Sequence, residues 1–72
     1  MSAAFVVDAR GLSCPQPVIE TRKALEKHAG GPVEVFVDTV TSRENVARFG
    51  ASHGWKVAKE ETQDGFRVTL SR

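Results

Sequence analysis

The chain has 72 residues and a mass of 7.8 kDa, which predicts one domain with a modest core, because domains of this size bury only about 60% of the surface that the unfolded chain exposes. Its formal net charge of +1, from 10 Lys plus Arg against 9 Asp plus Glu, argues against a dedicated nucleic-acid binder, since phosphate neutralisation requires a larger basic excess. The single cysteine excludes a disulfide within the chain and a C-x-x-C redox pair.

Residues 1–8 contain no basic leader, and their apolar run is too short for a signal peptide. No stretch approaches the roughly 18 consecutive apolar residues of a membrane span. We therefore expect a cytoplasmic protein, in a compartment where a thiol stays reduced.

The first predicted strand is the short run Phe5-Val6-Val7, which ends at Asp8. After a loop with one glycine and two prolines, a helix is predicted from Pro15 to about His28, and residues 30–32 end it. One stripe of this helix is apolar enough to be its buried face, and it consists of Val18, Thr21, Ala24 and Leu25.

The second predicted strand alternates, with its valines at 33, 35 and 37 on one side and Phe36 on the other. The segment from Thr41 to Glu44 fits a capping box, and the helix that it opens is predicted to end at Gly54. Residues 55–61 and 66–70 then predict two strands around a hairpin turn that contains Asp64-Gly65.

The resulting order is βαβαββ, which places the chain in the α/β (α+β) class. Because crossover connections are right-handed, both helices are expected on one face of a mixed four-stranded sheet. The alternation in the second and last strands predicts that the other face is largely solvated. The expected architecture is an open two-layer sandwich, with Phe36 on its open face.

Cys14 lies in the predicted loop that connects the first strand to the first helix. With Cys14 at the N-cap, Pro15 takes the first helical position and Pro17 the third, where a proline does not break the hydrogen-bond ladder. A helix N-terminus stabilises a thiolate and lowers the cysteine pKa. Between the two prolines, Gln16 supplies the amide nearest the sulfur, and Arg10 is a candidate for additional positive charge.

A structural interpretation of Cys14 stands beside the reactive one. Free cysteines are among the most buried residue types and often serve as small apolar side chains. Against this interpretation, Cys14 lies in a Gly/Pro-rich turn and not on the apolar stripe of the helix. The pattern by itself favours a reactive cysteine and specifies no reaction.

The segment Asp8-Ala9-Arg10-Gly11-Leu12-Ser13-Cys14-Pro15-Gln16-Pro17 resembles the signature of the TusA/SirA-like sulfur carrier family, in which Arg-Gly-Leu precedes Cys-Pro-x-Pro (the CPxP motif). The likeness covers the whole chain, residues 1–72, as a single domain of similar length and element order. The resemblance implies that Cys14 accepts sulfane sulfur as a persulfide. It also implies a donor protein, such as a cysteine desulfurase or rhodanese, and an acceptor protein, with no cofactor.

One stretch departs from the sulfur carriers of the tRNA-thiolation type, which often have Asp-Asp-Pro after the second strand. Residues 37–46 resemble the YedF-type branch, which is associated with selenium metabolism and usually carries a second, DsrE-like domain. The chain is therefore either a stand-alone carrier or a fragment cut at a domain boundary. Whether such a sulfurtransferase-type carrier is called an enzyme is partly a matter of naming, since partner proteins load and unload it.

Other constellations give weaker signals. His28 and His53 are scattered relative to Cys14, so neither a metal site nor a Cys-His nucleophile is predicted. Arg22 and Lys23 lie one to two turns beyond Cys14 and are candidates to dock an acidic partner, although a solvated helix face explains them as well. A regulatory or nucleic-acid-binding module on the same fold, with Phe36 stacking a base, is the alternative function.

Overall fold

The computed structural model describes residues 5–12, 15–28 and 32–72, and Cys14 lies outside these ranges. Within them the chain follows the predicted βαβαββ order. The elements are β1 (Phe5–Asp8), α1 (Gln16–Lys27), β2 (Val33–Val37), α2 (Val40–Ser52), β3 (Lys56–Thr62) and β4 (Gly65–Ser71). No helix in the described ranges is long and apolar enough to cross a membrane.

The four strands form one mixed sheet in the order β1-β2-β4-β3. β1 and β2 are parallel, so α1 is the crossover between them, whereas β4 is antiparallel to both β2 and β3. Parallel neighbours need such a crossover, and its right-handed form places the helix on a fixed face of the sheet. The predicted fold class is confirmed.

The core lies between the helices and one face of the sheet. Val33, Val35 and Val37 of β2 are fully buried, and Leu70 and Val68 of β4 lie directly opposite the first two. Burying a side chain of this size is worth roughly 1.5–3 kcal/mol, so these aligned positions contribute a large part of the stability. The alternation predicted for β2 is confirmed, with Phe36 half-buried on the open face.

Helix α1 contributes its predicted stripe, in which Thr21, Ala24 and Leu25 are buried. The Thr21 hydroxyl donates a hydrogen bond to the carbonyl oxygen of Pro17, one turn earlier, at 2.8 Å. A threonine can therefore occupy a core position, because its only polar side-chain atom is satisfied within the helix.

Both helix starts differ from the sequence-based prediction. The N-cap of α1 is Pro15 and not Cys14, so Pro17 is the second helical residue and the helix begins one residue later than predicted. The predicted Thr41–Glu44 capping box is wrong. The N-cap of α2 is Thr39, whose hydroxyl oxygen accepts from the Ser42 amide at 3.0 Å. Thr39 lies three residues before Ser42, just as Thr41 lies three residues before Glu44. The spacing alone therefore did not decide which threonine is the N-cap.

The hairpin between β3 and β4 turns through Gln63 and Asp64, and Thr62 pairs with Gly65. Gly65 therefore begins the strand instead of lying in the turn. A Cβ built on Gly65 would lie 2.8 Å from Asp38 Cα and closer still to the Val37 carbonyl oxygen. Only glycine allows this contact between the hairpin and the end of β2.

We expect Gly65→Ala to lower the free energy of unfolding by about 2–3 kcal/mol, because neither backbone can move away without breaking sheet hydrogen bonds. Gly54→Ala is the matched control: Gly54 has a φ of 84° but open space around its Cα, so only about 1 kcal/mol of backbone strain is expected. Urea unfolding measures both changes. Equal losses in the two variants would contradict the close approach at Gly65.

Candidate functional site

The candidate site is the loop that leads from β1 towards Cys14. Ala9 is buried and its amide donates to the Phe36 carbonyl oxygen at 2.8 Å, which extends the β1–β2 pairing by one residue. Gly11 then adopts a φ of 79°, a left-handed conformation that favours glycine. The chain therefore leaves the sheet abruptly at the carboxyl end of β1.

Arg10 is held by carboxylates from two parts of the chain. Its Nε donates to Asp8 Oδ1 at 2.9 Å and its Nη2 to Asp8 Oδ2 at 3.0 Å. Its Nη1 reaches Asp64 Oδ2, in the β3–β4 turn, at 3.4 Å. The forked contact with Asp8 uses the planar guanidinium in the bidentate way that arginine permits and lysine does not.

The backbone of the same loop is anchored to a third carboxylate. The Gly11 amide donates to Asp38 Oδ2 at 2.8 Å, and Asp38 directly follows β2. We call Asp8, Arg10, Gly11, Asp38 and Asp64 the loop clasp. The loop clasp joins the segment before Cys14 to the ends of β1 and β2 and to the hairpin.

The loop clasp changes the interpretation of Arg10. Hydrogen bonds from the Arg10 side chain and backbone lower the pKa of Asp8 from 3.8 to about 2. Asp8 in turn raises the pKa of Arg10 above its ordinary value, mainly through their side-chain hydrogen bond. The sequence suggested Arg10 as extra positive charge near the sulfur, but its guanidinium is already engaged by Asp8 and Asp64.

The other end of the Cys14 segment is the start of α1. The carbonyl oxygen of Pro15 accepts from the amides of Val18 and Ile19, both at 3.1 Å, and this begins the helix ladder. Pro17 is buried, whereas Pro15 and Gln16 are exposed. Because each proline ring fixes its own φ, the first turn is stiff where it follows Cys14 in the sequence.

Arg22 and Lys23 do not form one patch. Arg22 lines a groove of about 220 Å³ together with Phe49, Trp55 and Arg72. Lys23 lines a separate cleft between α1 and β1, and its ammonium group lies 3.8 Å from a Glu20 carboxylate oxygen. Adjacent residues of a helix point about 100° apart, so the predicted pair is divided between two surfaces.

Both histidines lie at helix ends, as predicted. His28 follows α1 and its ring stacks on Phe5, with 3.9 Å between the ring centroids. His53 follows α2 and packs against Phe49 at 4.2 Å. Within the described ranges, no three His, Cys, Asp or Glu side chains are grouped so that they could hold a metal ion.

Asp38 and Asp64 were missed as site residues by the sequence reasoning. The position of Asp38 could have been recognised from the sequence, since Asp8 ends β1 and Asp38 directly follows β2, and these parallel strands are neighbours in the sheet. The side chains that follow such strands meet at one edge of the sheet. For Asp64 the sequence predicted only a hairpin turn, and nothing in the sequence indicates that this turn contacts Arg10.

Comparisons with known proteins cover nearly the whole chain. The family model described as "Sulfurtransferase TusA" matches residues 5–72. A protein of Methanocaldococcus jannaschii, provisionally named a sulfur carrier protein, is 38% identical over 68 residues, which is 92% of this chain and 91% of that protein. YrkI of Bacillus subtilis, also provisionally named a sulfur carrier protein, is 32% identical over 90% of this chain and 87% of its own length.

A solved structure shows the same fold. The crystal structure of a SirA-like protein from Desulfitobacterium hafniense superposes with a TM-score of 0.85 at 38% sequence identity. The match covers 92% of this chain and 93% of that chain.

The pairing of Asp8 with Arg10 predicts a pH dependence. Because the folded pKa of about 2 lies below the ordinary 3.8, the stabilisation is present above pH 3.8 and is lost as the pH falls towards 2. NMR titration of the Asp8 carboxyl is expected to give a pKa of about 2, and Arg10→Gln is expected to raise it towards 3.8.

Asp64→Asn is the matched control for this titration. It removes the second carboxylate that contacts Arg10 and leaves the Asp8 contact intact, so the Asp8 pKa is expected to stay low. An ordinary Asp8 pKa in the parent protein, or a low one in Arg10→Gln, would contradict the pairing.

Proposed function

The chain belongs to the sulfurtransferase TusA family, and on that premise we propose that it is a sulfur carrier in which Cys14 holds the sulfur as a persulfide. The observation that carries the proposal is the framing of Cys14 by two rigid segments. The loop clasp fixes the chain at Gly11, and the proline-stiffened start of α1 fixes it from Pro15 onwards. Only residues 12–14 lie between these two anchors.

The proposed loading step needs no external oxidant or reductant. The Cys14 thiolate attacks the terminal sulfur of a persulfide on the donor protein. The donor's S–S bond breaks and its electron pair leaves with the donor thiolate, while a new S–S bond forms at Cys14. The terminal sulfur keeps its proton and its oxidation level throughout.

The unloading step repeats this chemistry in the other direction. A thiolate of the acceptor protein attacks the terminal sulfur on Cys14, and the Cys14 thiolate is the leaving group. A lower cysteine pKa makes the thiolate both more abundant and a better leaving group. We assign Pro15 and Pro17 to holding the helix start, and the Gln16 amide and the helix dipole to favouring the thiolate form.

Arg22 is proposed to dock an acidic surface of a donor or acceptor. Its side chain is exposed on α1, and no ion pair of Arg22 with another described residue is observed. The groove that it lines also contains the buried indole of Trp55, with the Arg72 guanidinium 4.5 Å from the ring centroid. Glu26 also lines the groove, so two guanidinium groups stand against one carboxylate beside an apolar floor. This surface suits a partner that presents a carboxylate next to an apolar side chain.

The proposal also includes the cellular location, the extent of the domain and the element that is carried. We place the relay in the cytoplasm, where the Cys14 thiol stays reduced, and treat residues 1–72 as one functional domain. The YedF-like stretch of residues 37–46 makes selenium the alternative cargo. A zero-valent selenium atom would pass from an S–Se adduct on the donor to Cys14, and the donor thiolate would leave, as in the sulfur reaction.

The alternative of nucleic-acid binding receives little support from the open sheet face. Phe36 lies in register between Asp8 of β1 and Arg67 of β4. Arg67 forms an ion pair with Glu60, and Asp8 is held by Arg10. An aromatic ring whose charged neighbours already form ion pairs lacks the free cations that phosphate groups require.

Incubation with a cysteine desulfurase and cysteine is expected to add the mass of one sulfur atom to the intact parent protein. A reducing agent should reverse the gain. The matched control is Cys14→Ser, which keeps the size of the side chain and removes the thiol, and it should gain nothing. If the parent stays unloaded with both a desulfurase and a rhodanese, the persulfide proposal fails.

Charge reversal tests the docking role of Arg22. Arg22→Glu is expected to lower the rate of sulfur loading by roughly tenfold at low salt, because it places like charges across the contact, and added salt should narrow the difference. Lys23→Glu is the control, since Lys23 lies on the other side of α1. A larger loss in Lys23→Glu than in Arg22→Glu would reassign docking to the cleft beside β1.

A further inference from the structure

Among the described strands, β1 is an edge of the sheet and pairs only with β2. The amides of Phe5 and Ala9 point towards β2, where they donate to the carbonyl oxygens of Pro32 and Phe36 at 3.1 and 2.8 Å. Since backbone groups alternate along a strand, the amides and carbonyls of Val6 and Asp8 point outwards. β1 therefore presents the hydrogen-bonding groups that another strand needs.

Large apolar side chains are exposed along this edge on both faces of the sheet. Val6 is 52% exposed and Phe5 is 38% exposed, and both are among the large apolar residues that the structure leaves open to solvent. A cleft of about 290 Å³ separates the edge from α1. No lysine or proline within Phe5–Asp8 protects the strand in the way that exposed edges usually require.

The charges along the cleft have a particular order. α1 runs antiparallel to β1, because it returns the chain from the carboxyl end of β1 to the start of the parallel strand β2. The α1 residues that line the cleft begin with Glu20 and end with Lys27, while β1 contributes Phe5–Asp8. The cleft is thus acidic at one end and basic at the other, and no ion pair of Lys27 with a described residue is observed.

We propose that a second copy of the chain occupies this surface. Antiparallel pairing of two β1 edges generates a twofold axis perpendicular to the sheet beside Val7, with Val6 of each copy opposite Asp8 of the other. The two sheets become one eight-stranded sheet. Both α1 helices lie on the same face, so Phe5 and the cleft of each copy are covered by the other.

Charge complementarity is what selects a second copy as the occupant. The twofold axis reverses the direction of the cleft, and therefore the acidic end of each copy meets the basic end of the other. Glu20 of one chain lies opposite Lys27 of the second chain, twice per dimer. Lys23 remains near Glu20 of its own chain at 3.8 Å. The interface is self-complementary, as an isologous contact must be.

This dimer goes beyond the proposed function and is compatible with it. The segment before Cys14 leaves each β1 at its carboxyl end, and antiparallel pairing sends these ends in opposite directions. The groove of Arg22 lies on the other side of α1. Asp8 takes part in the interface through its backbone while its side chain stays in the loop clasp, and the Arg22 groove of each copy remains accessible to partner proteins.

The test is sedimentation velocity from about 10 µM to about 1 mM, the range for an interface of small area. Cys14→Ser serves as the background, so that a disulfide cannot imitate association. A reversible dimer is expected. Lys27→Glu and Glu20→Lys should each raise the dissociation constant of the dimer by about tenfold, because each creates like-charge pairs. The double exchange, which combines both substitutions in one chain, should restore the original dissociation constant. Lys56→Glu, which makes the same charge change on β3, should have no effect.

A variant that removes one backbone hydrogen-bond donor distinguishes strand pairing from nonspecific hydrophobic association. Val6→Pro removes an outward amide without touching the β1–β2 bonds, and proline is tolerated at such an edge position. It is expected to abolish the dimer while the circular dichroism spectrum stays unchanged. A monomer at about 1 mM, or a double exchange that fails to restore association, overturns the proposal. Either result is independent of sulfur loading, which is measured on Cys14 alone.

Discussion

The ion pair of Arg10 with Asp8 is the contact on which the candidate site depends. It is bidentate and joins two residues that are two positions apart in the sequence. The same guanidinium also contacts Asp64 in the β3–β4 turn. The neighbouring Gly11 amide is held by Asp38 at 2.8 Å. A loop that leaves an edge strand would otherwise have few tertiary contacts. Here three carboxylates from distant parts of the sequence fix its path, and Gly65 brings the hairpin close enough to take part.

These contacts are exposed, so each contributes little to the overall stability. Their effect is local, because they restrict one short segment and not the whole domain. For a carrier this arrangement is suitable: the sulfur must meet several partner proteins, and a deep pocket would hinder that exchange. A small domain cannot enclose a substrate, but it can hold one side chain at a defined place on its surface. In the proposed function, the restrained residues on either side of Cys14 in the sequence take the place of an enclosing pocket.

Most of the fold could be predicted because periodicity is a strong signal in a short chain. The valines of β2 and the stripe of Thr21, Ala24 and Leu25 are buried as their spacing indicated. The errors were local and had a common cause. Thr39 and Thr41 both offer a hydroxyl within reach of a helix start, and each predicted N-cap is displaced by one or two residues from the observed one, which is the usual uncertainty of a helix boundary. Asp64 could not be assigned to the site, since its contact with Arg10 spans 54 residues of sequence.

Helix α1 connects the separate features of this protein. Its N-terminal turn adjoins Cys14, its buried stripe fixes it to the sheet, and its two remaining sides carry Arg22 and Lys23 above different surfaces. Since a helix side chain cannot serve both surfaces, the Arg22 side is available for partners that exchange sulfur, and the Glu20–Lys27 side is available for a second copy. The two kinds of contact do not compete for the same residues. The proposed dimer therefore leaves the Arg22 groove of each copy uncovered, which an association through that groove would not do.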